Sequence, residues 1–213
     1  MGGAHAKTRQ EVIGVILAGG KARRMGGVDK GLVPVNERPM ITYVIDSLRP
    51  QVAEVLINAN RNRDRYREFG CRVIADADRE FRGPLSGIAS GMRATRKPYV
   101  AFAPCDSPLL CPDLVPRLHA ALSAEGTRIA VAHDGERLQP VFALLERGLL
   151  EDLERYLEGG GRKIDQWYAT HGYATADFSD RPEAFLNINS PADRRALEAE
   201  LDQRIGDKAD DSE

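Results

Sequence analysis

The sequence has no long apolar run, and none of its stretches nears the roughly 20 residues an α-helix needs to cross a bilayer. No membrane partner is expected. Met1 to Gln10 lacks an apolar segment of the kind that makes a secretory signal, so the expected compartment is the cytoplasm. Cysteine is scarce. Cys71, Cys105 and Cys111 form no C-x-x-C pair and no zinc-type spacing with the four histidines. An odd number of thiols suits a reducing compartment, and buried thiols without chemistry are the expectation. A surplus of either charge is missing as well. Thirty Lys and Arg face 32 Asp and Glu, a formal net charge of −2, whereas a general nucleic-acid binder shows a basic excess. Aromatic residues make up 6%, with a single tryptophan, Trp167, expected in the core. His5, His119 and His171 stand in no partner pattern.

What remains is an ordinary globular composition, 42% hydrophobic and 29% charged over 213 residues, enough for one core without disulfides. Val12 to Leu17 is a short apolar run rich in β-branched residues and closed by Ala18-Gly19-Gly20, which reads as a buried parallel strand. Strands are also expected at Val52 to Ile57, Arg72 to Ala75, Tyr99 to Ala103 and Arg128 to Ala132. Helices are expected at Pro39 to Leu48, Asp64 to Phe69, Leu85 to Thr95 and Asp113 to Ala124. This alternation predicts an α/β domain with a parallel sheet. Ligands of such sheets lie at the carboxyl ends of the strands, so Gly19-Gly20, Asn58, Asp76 and Asp106 should share one edge.

The second half is less regular. Leu138 to Leu145 is expected to return as a strand after the Asp134-Gly135 turn. Helices follow at Gly148 to Leu157 and Arg162 to Thr170, with a peripheral strand at Tyr173 to Phe178 and a last one at Phe185 to Asn189. Ser190-Pro191-Ala192-Asp193 carries the start signals of a final helix reaching about Ile205. The expected division is a flexible segment 1–10, one domain over 11–205 and a disordered tail 206–213. No internal repeat or low-complexity linker interrupts it.

The most informative stretch runs from Gly19 to Gly31, with five glycines, four basic side chains and one acid. Glycines let backbone N–H groups crowd around an anion, and lysine or arginine neutralises its charge. A strand leading straight into such a loop is a phosphate-binding arrangement. It is not a Walker A loop, because Gly20-Lys21 is followed by Ala22 and Val15 occupies the first glycine position. The dinucleotide fingerprint G-x-G-x-x-G is absent too, which speaks against an oxidoreductase.

The run L-A-G-G-K-A-R-R-M-G-G-V-D-K, Leu17 to Lys30, resembles the signature of the nucleotidyltransferases that build nucleotide cofactors and sugar nucleotides. The likeness to the molybdenum cofactor guanylyltransferases continues through N-A-N-R at Asn58 to Arg61 and G-P-L-S-G at Gly83 to Gly87. It extends to P-C-D at Pro104 to Asp106, H-D-G at His133 to Gly135 and N-I-N-S-P at Asn187 to Pro191. The resemblance implies a three-layer, Rossmann-like nucleotidyltransferase fold around a mostly parallel sheet. It implies transfer of GMP from GTP to the terminal phosphate of molybdenum-molybdopterin, with pyrophosphate released and Mg2+ required.

By the same likeness Arg24, Lys30 and Asp106 are the catalytic set, with Asp106 on the metal. Leu17, Ala18, Gly19, Gly20, Lys30, Asn58, Asp76 and Asp106 form the GTP site. Asp76 could face guanine or ribose. Asp134, Asn187 and Asn189 fall on the molybdopterin side, although a hairpin turn and strand-end capping explain them nearly as well. Transient contacts with the molybdenum-insertion enzyme and with apo-molybdoenzymes or their chaperones are also implied. Relatives that use CTP tend to read L-A-A-G, so Gly19-Gly20 looks like the guanine form. A cytidylyltransferase for molybdopterin or for a sugar or polyol phosphate is the alternative. A non-catalytic GTP binder is a rival of another class.

Overall fold

The computed structural model describes residues 8–18, 29–77 and 83–199. Its centre is a seven-stranded sheet. The strands are β1 (Val12–Leu17), β4 (Glu54–Asn58), β5 (Arg72–Ile74), β6 (Tyr99–Pro104), β7 (Ile129–His133), β8 (Leu138–Glu146) and β9 (Ala174–Asp177), and their spatial order is β5-β4-β1-β6-β8-β7-β9. β8 runs against its neighbours β6 and β7, and the other pairings are parallel. β2 (Pro34–Val35) and β3 (Arg38–Pro39) form a separate small hairpin with no counterpart in the sequence reading. Its turn places Asn36 and Glu37 at φ 44° and 63°.

The helices are α1 (Met40–Leu48), α2 (Arg63–Arg67), α3 (Pro84–Arg93), α4 (Leu114–Glu125), α5 (Leu150–Glu158) and α6 (Ile164–His171). They divide between the two faces of the sheet because strand side chains alternate. Val12 and Ile16 of β1 pack with Ile41, Val44 and Leu48 of α1 and with Leu114, Val115 and Leu118 of α4. Ile13 and Val15 turn the other way, onto Leu85, Ile88 and Met92 of α3, Leu153 and Leu157 of α5 and Trp167 of α6. The result is the expected three-layer α/β fold. Trp167 is fully buried and donates its indole N–H to Asp152 Oδ1 at 3.0 Å, as a core tryptophan should.

One expected element is corrected. Phe185 to Asn189 is not a strand. Pro182–Phe185 forms a 3-10 turn with proline at its start, and 186–189 runs irregularly. The Ile188 N–H is taken by the Asp106 carbonyl at 2.9 Å instead of a sheet neighbour. The helix at 191–199 follows, while its expected end at Ile205 and the tail 206–213 lie outside the described residues. Residues 8–11 make a helical turn, and Arg9 Nε donates to the Val52 carbonyl at 3.2 Å.

Close contact between α3 and the sheet depends on a small residue. A Cβ on Gly91 would stand 2.9 Å from Phe102 Cε1 and 3.0 Å from Val15 Cγ2. Gly91→Leu is therefore expected to destabilise the chain by about 1–3 kcal/mol through overpacking, read as a shift in the urea midpoint.

Candidate functional site

The site lies along the carboxyl edge of the parallel strands. Leu17 pairs with Asn58 on one side and with Pro104 on the other, so three strands end level. The ends are tied beyond the last rungs. Ala18 N–H donates to the Asn58 carbonyl at 2.8 Å, and Cys105 N–H donates to the Leu17 carbonyl at 3.1 Å. These two backbone groups of Leu17 and Ala18 are thus engaged in holding the sheet edge. Gly19, Gly20 and Arg24 lie outside the described residues.

On the β4–β5 side, Asn58 and Asp76 share the strand edge as expected, and their side chains also meet. Asn58 is buried, and its Nδ2 donates to Asp76 Oδ1 at 3.0 Å. Asn60 completes the clamp, since its Nδ2 donates to Asp76 Oδ2 at 2.8 Å and its Oδ1 accepts the Asp76 N–H at 2.9 Å. Sequence reasoning gave Asn60 no role, although its position two residues after Asn58 was a usable signal. Gly87 belongs to the same corner. A Cβ there would stand 2.7 Å from Asn58 Oδ1 and 2.8 Å from Leu17 Cδ2, so the glycine of G-P-L-S-G lets α3 approach the Asn58 amide. Gly83, at φ 147°, precedes α3 in backbone space that favours glycine.

On the β6 side, Lys30 emerges from the described end of the glycine-rich loop. Its Nζ donates to Asp106 Oδ2 at 2.8 Å and to Asn189 Oδ1 at 2.5 Å. Lysine and aspartate here are 26% and 15% exposed, which leaves both within reach of a ligand. The segment 186–189 is locked against this corner. The Ser107 hydroxyl donates to Asn187 Oδ1 at 2.6 Å, and Asn189 Nδ2 donates to the Asn187 carbonyl at 3.2 Å. Asp193 caps the helix 191–199. Its Oδ2 accepts the N–H groups of Asn189 at 2.9 Å and Ser190 at 2.8 Å, while Ser190 Oγ accepts the Asp193 N–H at 3.1 Å. This is the capping box expected from the sequence. It holds Asn189 where its amide oxygen meets Lys30.

Asp134 stays in its hairpin. Its Oδ1 accepts the N–H groups of Glu136 and Arg137, and its Oδ2 accepts the Gln139 amide. Burial works against its charge, but these three hydrogen bonds outweigh burial and lower its acidity value. The described contacts of Asp134 do not bring it to Lys30 or Asp106. All three cysteines are free and buried. Burial holds their thiols above the ordinary range, with Cys111 pushed up to about 12, so none is poised as a nucleophile. Among the described residues, no three His, Cys, Asp or Glu side chains gather into a metal cage.

The fold of this seven-stranded, mostly parallel sheet recurs among solved structures. A molybdopterin-guanine dinucleotide biosynthesis protein A from Archaeoglobus fulgidus matches with a TM-score of 0.74, covering 90% of this chain and 99% of its own at 20% identity. A 4-diphosphocytidyl-2C-methyl-D-erythritol synthase from Anaerococcus prevotii matches at 0.72, covering 93% and 99% at 11% identity. At such identities these show the fold.

The model of the MobA-like NTP transferase domain matches residues 14–172, and the chain belongs to that family. A molybdenum cofactor guanylyltransferase of Shewanella sp. strain MR-4 is 52% identical over 193 residues, 91% of this chain and 98% of its own length. One from Shewanella pealeana is 52% identical over 187 residues, 88% and 94% respectively.

The Asp193 clamp predicts a pH response. The backbone N–H of Asn189, then the Ser190 hydroxyl, hold its carboxylate below the usual range. Its contribution is therefore present above the unfolded value of about 3.9 and is lost as pH falls through the lower folded value. The Asn189 and Ser190 amide resonances should titrate with a midpoint below about 3.9 and should stop doing so in Asp193→Ala.

Proposed function

We propose that the chain transfers GMP from GTP to the terminal phosphate of molybdenum-molybdopterin, forming the guanine dinucleotide form of the cofactor. A phosphate oxygen of the pterin attacks the α-phosphorus of GTP. The bond from that phosphorus to the oxygen bridging to the β-phosphate breaks, and pyrophosphate leaves with the electron pair. The observation that carries this reading is the meeting of Lys30, Asp106 and Asn189 at the exit of the glycine-rich loop. The names of relatives at half identity over nearly the whole chain support the choice of substrates.

Little covalent chemistry falls to the protein in such a transfer, and positioning with charge neutralisation does most of the work. Lys30 can donate to a phosphate oxygen once it leaves Asp106. Asp76, a carboxylate already fixed by the amides of the buried Asn58 and of Asn60, would present a rigid acceptor to guanine or ribose. Asn187 and Asn189 would face the pterin phosphate across Lys30.

Charge also supports a divalent cation. Lys30 is paired with the Asp106 carboxylate, so the pair alone does not attract a triphosphate. Further positive charge would come from a metal ion and from the basic residues that precede Lys30 in the sequence, Lys21, Arg23 and Arg24. Asp106 presents one partly exposed carboxylate, and magnesium carried on phosphates needs only one or two protein carboxylates besides water. The donor set fits Mg2+, held by Asp106. Bound there, the ion would neutralise charge building up on the phosphates. Receipt of the labile pterin from the molybdenum-insertion enzyme, and delivery to apo-molybdoenzymes or their chaperones in the cytoplasm, complete the proposed role.

Pyrophosphate release is the test, with GTP or CTP, magnesium and molybdenum-loaded molybdopterin. Release is expected from GTP and only with the pterin, and Asp106→Ala should lower it by about 10²–10³-fold. Release from CTP instead would make the chain a cytidylyltransferase. A folded chain that binds GTP without turnover would be a non-catalytic binder.

A further inference from the structure

Lys30 is set on the site by a contact the proposed reaction does not itself use. Asp29, immediately before it, is a buried carboxylate, 4% exposed. Both of its oxygens receive hydrogen bonds from the α2 region. The Tyr66 hydroxyl donates to Oδ1 at 2.8 Å, and Asn62 Nδ2 donates to Oδ2 at 3.3 Å. Tyr66 is fully buried, and desolvation first, then neighbouring Cys105 and Asp29, pushes its acidity value upward, so the phenol stays a proton donor. The same hydroxyl presses on the other neighbour of Lys30. A Cβ on Gly31 would stand 2.8 Å from Tyr66 Oη and 3.3 Å from Cys105 Cβ. Lys30 is thus bracketed on both sides by one tyrosine that belongs to the β4–β5 connection, while its amine reaches Asp106 after β6.

A lysine side chain is flexible and loses much freedom when fixed. A backbone pinned at Asp29, and followed by a Gly31 where Tyr66 leaves no room for a side chain, removes part of that freedom before any ligand arrives. We propose that Tyr66 and Asn62, acting through Asp29, are positioning residues that hold the Lys30 amine at the reacting phosphates. The inference rests on the proposed guanylyl transfer and deepens it. Asp29, Asn62 and Tyr66 touch no substrate in this account. Their effect passes through Lys30 alone.

A double-mutant cycle on the full chain tests whether the clamp acts through Lys30 alone. GTP affinity, the kcat of pyrophosphate release and thermal melting are measured for the parent chain, Tyr66→Phe, Lys30→Ala and the double variant. Tyr66→Phe keeps the buried ring and removes the hydroxyl. It is expected to lower kcat about tenfold, yet to change it less than about twofold when Lys30 is already alanine. Asn62→Gly serves as a second variant, because Asn62 sits at φ 49°, where glycine introduces no strain. It should lower kcat in the same direction and be equally silent without Lys30. Equal losses in both backgrounds, or unchanged kcat in both clamp variants, would overturn the inference. A parent chain that binds GTP but releases no pyrophosphate would instead count against the proposed function. The same cycle read on GTP affinity would then still decide whether the clamp acts through Lys30.

Discussion

The pairing of β1 between β4 and β6 is the constraint on which the rest depends. Because both pairings are parallel and in the registers Leu17–Asn58 and Leu17–Pro104, the chain leaves three strands at one level. Each exit carries a different chemical group. β1 opens into the glycine-rich basic segment, β4 delivers Asn58, and β6 delivers Asp106 two residues past its end. A shift of one rung would turn every side chain of β1 to the opposite layer, so the burial of Ile13 and Val15 against α3, with Ile16 against α1, fixes the site as firmly as it fixes the core.

Around that edge the polar groups are arranged in two clamps that share no residue. Asn58 and Asn60 hold Asp76, while Asn189 and Asp106 hold Lys30. The first clamp fixes the Asp76 carboxylate between two amides, an arrangement that would suit the hydrogen-bonding groups of a nucleoside. The second is a partly exposed ion pair, which a ligand phosphate would open in the proposed reaction. A substrate phosphate and a cation arriving together would each take one partner of the pair, Lys30 and Asp106 respectively, so neither charge would be left unpaired in a partly buried site.

The strands β1, β4, β5 and β6 were legible because each is a short, mainly apolar run closed by glycine, asparagine or aspartate, and their order along the chain was enough to place Asn58, Asp76 and Asp106 on one edge. Phe185 to Asn189 misled because F-L-N-I-N alternates like a strand, whereas its polar groups are satisfied by Asp106, Ser107 and Asp193 rather than by a sheet. The Asp29–Tyr66 contact was invisible for a different reason. Its partners lie 37 residues apart, and Tyr66 sits in the run Arg63-Asp64-Arg65-Tyr66-Arg67, which reads as a solvated surface. Only the tertiary fold shows that this tyrosine points inward beneath Lys30. The Asn60 amide and the Gly87 approach were within the quoted motifs, but nothing in their spacing said what they would touch.

In the proposed reaction the carboxyl edge between β1 and β6 holds the nucleotide phosphates, with Lys30 released from Asp106 onto them. A crystal structure of the chain with magnesium and a non-hydrolysable GTP analogue tests this most directly. The account predicts Lys30 Nζ within hydrogen-bond distance of a phosphate oxygen, the metal on Asp106 and the nucleoside beside Asn58 and Asp76. A nucleotide bound elsewhere, or one bound at this edge with the Lys30–Asp106 pair still closed, would contradict it.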